Sequence, residues 1–78
     1  MKRFFITVKH TDNPEDTFYI NWVNVDEAFN VDWDLTNHID HALEVGSINK
    51  ARAVIACVKS SIIIKGYTFQ IVELTIHD

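Results

Sequence analysis

One cysteine, one proline and two glycines in 78 residues are few, and each shortage removes a class of explanation. Cys57 alone cannot form an intramolecular disulfide. Small domains in oxidising compartments usually depend on several, so the expected setting is reducing and cytoplasmic. The paired cysteines of a zinc ribbon are missing as well. Gly46 and Gly66 stand apart from each other, so the chain has no glycine-rich loop to cradle a phosphate. No uninterrupted apolar run approaches the roughly 18 residues of a bilayer span. The opening Met1-Lys2-Arg3-Phe4-Phe5-Ile6 starts like a secretory leader, but Lys9, His10 and Asp12 break the apolar stretch at once.

The chain also lacks positive charge through its middle. Between Lys9 and Lys50 there is no Lys or Arg, while Asp12, Glu15, Asp16, Asp26, Glu27, Asp32, Asp34, Asp40 and Glu44 all fall in that interval. Nucleic-acid backbones are bound by Lys and Arg displacing condensed cations, so direct nucleic-acid binding is not expected. Lys50, Arg52, Lys59 and Lys65 supply a basic counterweight, but the net charge is still −4.

Apolar material is plentiful: 47% of residues are hydrophobic, including five Phe, two Trp and two Tyr. That composition supports a core rather than a disordered segment, although a chain of this size buries only about 60% of its unfolded surface. Residues 3–10 read as a strand, with Phe4, Ile6 and Val8 on one side and Phe5, Thr7 and Lys9 on the other. Thr11-Asp12-Asn13-Pro14-Glu15-Asp16 reads as a loop. Residues 17–25 read as a second strand in which Phe18, Ile20 and Trp22 share the buried side. Asp26-Glu27-Ala28-Phe29 suggests a short helical turn, and the course of 25–31 is the least determined.

Leu35, Ile39, Ala42 and Leu43 have helical spacing, with Asp32 or Asp34 as cap and Gly46 as stop. A second helix follows Ser47 as N-cap, with Ile48, Ala51, Ile55 and Val58 on its apolar face and Ser60-Ser61 as its exit. Ile62-Ile63-Ile64 reads as a strand, and Gly66 as a hairpin or bulge before the strand that starts at Tyr67. The apolar phase changes from Phe69/Ile71 to Val72/Leu74/Ile76, the pattern of a bulge. The expected architecture is one compact α+β domain over residues 1–78: a mainly antiparallel sheet of three or four strands packed with two helices, in the order β-β-α-α-β(-β). The expected core comprises Phe4, Ile6, Val8, Phe18, Ile20, Trp22, Leu35, Ile39, Leu43, Ala51, Ile55, Val58, Phe69, Ile71 and Leu74.

Three constellations carry chemistry. On a helix, Asp34, His38 and His41 would stand at i, i+4 and i+7, near one face, where they could hold a divalent ion for a small metal-dependent enzyme. The competing reading has Asp34 capping the helix and both histidines facing water, and the leading expectation includes no cofactor or metal. Cys57 is a nucleophile only beside a base. Its neighbours Ala53, Val54, Ile55, Ala56 and Val58 fit a packed helix face, where cysteine behaves as a small hydrophobe. Trp33 among Asp26, Asp32 and Asp34 would suit a protein interface, an aromatic anchor inside an acidic rim. Alternatively, Trp33 packs inward.

In format, this small acidic α+β chain resembles phage- or mobile-element-encoded modulators, including inhibitors of bacterial defence systems. That likeness implies a binding protein and assigns no residue. The leading expectation is a noncatalytic modulator that places Asp26, Glu27, Asp32, Trp33, Asp34, Asp40 and Glu44 against a basic protein surface, such as a nucleic-acid-binding groove. A metal-dependent enzyme using Asp34, His38 and His41, or a subunit of a homo-oligomer such as a homodimer, are the alternatives.

Overall fold

Alternation of apolar and polar side chains governs most of the chain, and a computed structural model shows it expressed as a four-stranded antiparallel sheet. The structure describes residues 2–61 and 66–75. The strands are β1 (Lys2–His10), β2 (Asn13–Val25), β3 (Val31–Thr36) and β4 (Tyr67–Thr75), arranged in the order β3-β2-β1-β4. A 3-10 turn over Ile39–His41 and one helix, α1 (Ile48–Ser61), lie between β3 and β4 in the chain. The expected two-helix arrangement is therefore corrected to β-β-β-α-β, with one helix and a short 3-10 turn among the described residues.

The helix expected from Leu35 to Leu43 does not form. Val31, Trp33 and Leu35 alternate with Asp32 and Asp34, so the segment satisfies a period of two as an edge strand. β-Branched Thr36, then Asn37 and His38, are poor helix formers and end the strand without starting a long helix. The chain then folds back along the sheet. The Leu43 N–H donates to the Ile20 carbonyl at 2.8 Å, and Val45 and Phe4 exchange backbone bonds of 2.9 and 2.8 Å. Leu43 and Val45 thus reach the core from an extended strap rather than from a helix. Ile39 lies on the 3-10 turn and is 53% exposed, so it leaves the expected core.

The second expected helix is present. The Ser47 Oγ accepts the Lys50 N–H at 3.1 Å, the N-cap geometry anticipated for that residue. Ala51 and Val58 are fully buried, Ile55 is half-buried and Ile48 remains exposed. At the exit, Ser60 and Ser61 return hydroxyl hydrogen bonds to the carbonyls of Cys57 and Val58. The helix packs on one face of the sheet, against Phe4, Ile6, Val8 and Ile20. Phe18, Trp33, Leu35, Tyr67, Phe69 and Ile71 add half-buried area around that centre.

β4 is paired regularly with β1 from Lys2↔Thr75 to His10↔Tyr67, with no bulge. The apolar phase change has another cause. Tyr67, Phe69 and Ile71 face the helix, whereas Val72 and Leu74 face the other side, so β4 is apolar on both faces in turn. Gly66 precedes β4 at φ +106, and a Cβ there would lie 2.7 Å from the Thr11 hydroxyl, a position that only glycine fills without strain. The expected strand at 62–64 lies outside the described residues.

Candidate functional site

The register places Trp22 on the face opposite the helix. Ile20 pairs with Leu35 and Trp22 with Asp34, so β2 takes two steps where β3 takes one. This bulge at Asn21 reverses the alternation. Before it, Phe18 and Ile20 face the helix; after it, Val23 does, and Trp22 and Asn24 turn to the open face. Trp22 is consequently 41% exposed instead of buried. Its direct cross-strand neighbour is Asp34, and Asn24, one step along the same face, opposes Asp32. An aromatic beside two carboxylates therefore exists, but it is built on Trp22. Trp33 packs on the helix side against the core.

The other expected interface acids divide by position. Asp26 is committed to the β2–β3 turn: its carboxylate accepts the backbone N–H of Ala28 at 2.9 Å and of Asn30 at 2.8 Å, and the Asn30 side-chain amide at 3.1 Å. These bonds, led by the Asn30 backbone N–H, hold its carboxyl below the usual aspartate range. The same five-residue turn replaces the expected helical turn at 26–29 and leaves Phe29 at φ 63 and 86% exposed. Glu27 is exposed beside it. Asp32 accepts the Trp33 N–H at 3.0 Å, which marks that amide as pointing to the free edge of β3 rather than to β2. Asp40 is exposed on the 3-10 turn, and Glu44, on the strap, meets the Arg3 Nε at 3.6 Å.

The helical premise for grouping Asp34, His38 and His41 is gone, because Asp34 lies in a strand. His38 and His41 remain close, with ring centroids 5.7 Å apart. Among the described residues no group of three or more His, Cys, Asp or Glu side chains is placed to hold a metal ion. Cys57 is a half-buried free thiol on α1.

A separate cleft of about 360 Å³ opens at the β1–β2 hairpin, lined by Val8, Phe18, Leu35 and Tyr67 together with His10, Asp12 and Asn13. The His10 Nδ1 accepts the Asp12 N–H at 3.1 Å, and its ring meets Tyr67 edge-on with centroids 4.8 Å apart. In the neutral ring this leaves the proton on Nε2. Among the described residues no helix is long and apolar enough to cross a membrane.

Sequence reasoning missed Trp22 as a surface residue, although the sequence carries a signal for it. Apolar positions shift from Phe18/Ile20 to Val23/Val25, and polar Asn21 sits at the point of change. Compared with known protein families, curated proteins and solved structures, the chain matches none.

Proposed function

We propose that this chain is a noncatalytic protein-binding modulator whose open sheet face, centred on Trp22, Asp34 and Asp32, docks on a basic surface of another protein. The observation that carries this reading is the exposed Trp22 directly across the strand pair from Asp34. An aromatic ring gives contact area at low conformational cost and attracts guanidinium groups over its face, and adjacent carboxylates complete the recognition of Arg or Lys. Nine acids with no intervening Lys or Arg extend the negative field over the middle of the chain and would steer a basic partner toward it. A nucleic-acid-binding groove is the kind of basic surface such a face would occupy, in the manner of a competitive inhibitor.

Titration with a nona-arginine peptide at low and physiological salt tests this. Affinity should fall as salt rises, because the attraction is screened. Replacing Asp32 and Asp34 together by Asn should weaken binding about tenfold, in line with the loss of interfacial charge pairs. The matched control replaces Glu15 and Asp16, both exposed near the start of β2, with Gln and Asn. Equal losses from the two pairs would reduce the effect to net charge and remove the assignment to this face.

A further inference from the structure

The sheet ends in two edge strands, β3 and β4, and they are guarded differently. β3 is six residues long, carries Asp32 and Asp34, and spends its outward Trp33 N–H on the Asp32 carboxylate at 3.0 Å. Short length and charge are common means of keeping an edge from pairing further. β4 is nine residues long, pairs with β1 without a bulge, and contains neither proline nor a basic residue. Tyr67, Thr68, Phe69, Ile71, Val72 and Thr75 give it the composition of a central strand.

Backbone phase sets what the β4 edge presents. Phe4 exchanges N–H and C=O bonds with Val45, on the side of β1 away from β4. Successive residues of a strand direct these groups to opposite sides, so Arg3, Phe5, Thr7 and Lys9 direct theirs to β4. Their register partners Leu74, Val72, Gln70 and Thr68 return the bonds. Tyr67, Phe69, Ile71, Glu73 and Thr75 therefore aim N–H and C=O at the outer edge, where no strand pairs among the described residues.

We infer that β4 pairs antiparallel with β4 of a second copy, across a two-fold axis that passes through the sheet at Ile71 and joins the two sheets edge to edge. Centring on Ile71 pairs the whole of Tyr67–Thr75 with itself. It sets Ile71 opposite Ile71, Phe69 opposite Glu73 and Tyr67 opposite Thr75, all residues whose backbone groups point outward. The same register is complementary in charge. Phe69 and Glu73 are the register partners of Val8 and Phe4, so both project on the helix side. Lys59 on α1 stands over the Phe69 ring, with its Nζ 5.8 Å from the centroid. Directly opposed side chains lie about 5 Å apart at Cβ, so this ammonium meets the carboxylate that the second copy sets opposite Phe69. Lys2 engages Glu73 through Oε1 at 3.4 Å, which leaves Oε2 for the incoming Lys59. An unrelated extended segment would share the backbone bonds, but symmetry supplies the Lys59–Glu73 pair twice. Both helices lie on one side of the joined sheet. Both open faces then look to the other side, and Trp22, Asp32 and Asp34 stay accessible to the basic partner proposed above.

Sedimentation velocity on the full chain, from low-micromolar to submillimolar concentration, combined with amide hydrogen exchange, tests this pairing. The expected result is a concentration-dependent shift from monomer to dimer, with exchange at Phe69, Ile71 and Glu73 slowing as the dimer forms. The amides of Thr68, Gln70 and Val72, already bonded to β1, should be protected at every concentration. Glu73→Pro removes an outward N–H and no bond to β1, so it should hold the chain monomeric with an unchanged circular dichroism spectrum. Lys59→Glu, which leaves the backbone untouched, should weaken the dimer about tenfold, and adding Glu73→Lys should restore it. A wild type that stays monomeric throughout overturns the inference. So does a dimer whose Phe69, Ile71 and Glu73 amides exchange as fast as in the monomer, or one indifferent to the charge exchange. Nona-arginine binding by the Lys59→Glu variant reads the open face separately, because Trp22, Asp32 and Asp34 are unchanged there.

Discussion

The two faces of the sheet are made by the same strands but differ in what their side chains have to do. On β1, Phe4, Ile6 and Val8 turn toward α1 and are at most 7% exposed, while Phe5, Thr7 and Lys9 turn the other way. The covered face draws its stability from burial against one helix and the strap at Leu43 and Val45. The open face keeps Trp22, Asp32 and Asp34 exposed. Membership depends on strand phase, and a single extra residue at Asn21 moves Trp22 from the first group to the second. A residue's hydrophobicity therefore does not decide its role here, and its register does.

The largest test of this contrast compares two apolar truncations. Ile20→Ala, at a fully buried position beneath the helix, should destabilise the chain by about 2–5 kcal/mol. Trp22→Ala removes a larger side chain yet should cost about 1 kcal/mol or less, because that ring is already substantially exposed. Urea unfolding of the two variants measures both. Equal losses would mean that the open face contributes to the core and that the contrast is false.

Gly66→Ala comes next. Its φ of +106 and the 2.7 Å approach of a Cβ to the Thr11 hydroxyl should together cost roughly 1–3 kcal/mol, read as a lower urea midpoint. A neutral outcome would show that the junction between Thr11 and β4 yields easily. Ser47→Ala should cost about 1 kcal/mol by leaving the Lys50 N–H without its cap, and Ser47→Gly should cost less.

The smallest effect is local and depends on pH. The bonds to Asn30 and Ala28 favour the charged Asp26 carboxylate, so its folded-state pKa lies below the unfolded one. The resulting stabilisation is present above the unfolded value and is lost as pH falls through the folded one. The amide resonances of Ala28 and Asn30 should therefore titrate below the ordinary aspartate range, with the turn loosening as Asp26 takes up its proton. Amide shifts that stay flat through that range would show that the carboxylate does not organise the turn.

Much of the fold was legible in alternation and caps. The facing of Phe4, Ile6 and Val8, the start of α1 at Ser47 and its burial of Ala51 and Val58 all follow from spacing. The Leu35–Leu43 segment was misread because residues at i, i+4 and i+8 fit a helix even when the local pattern from Val31 to Leu35 alternates. Which period wins depends on tertiary context, since the second half of β2 extends past its pairing with β1 and offers an edge for β3. The candidate site was legible as a composition, an aromatic among acids, but not as a place. The Asn21 bulge turns Trp22 to the open face while Trp33 packs on the helix side, and the helical grouping of Asp34 with His38 and His41 dissolves once Asp34 belongs to a strand.

The central claim, that the open face around Trp22 receives a basic partner, is tested most directly by the two indole N–H resonances. On titration of the ¹⁵N-labelled chain with nona-arginine at low salt, the Trp22 indole should shift progressively and saturate while the Trp33 indole stays nearly still, and the Trp22 shift should need about tenfold more peptide when Asp32 and Asp34 are replaced by Asn. A shift confined to Trp33, or peptide binding that leaves the Trp22 indole unmoved, would contradict the account.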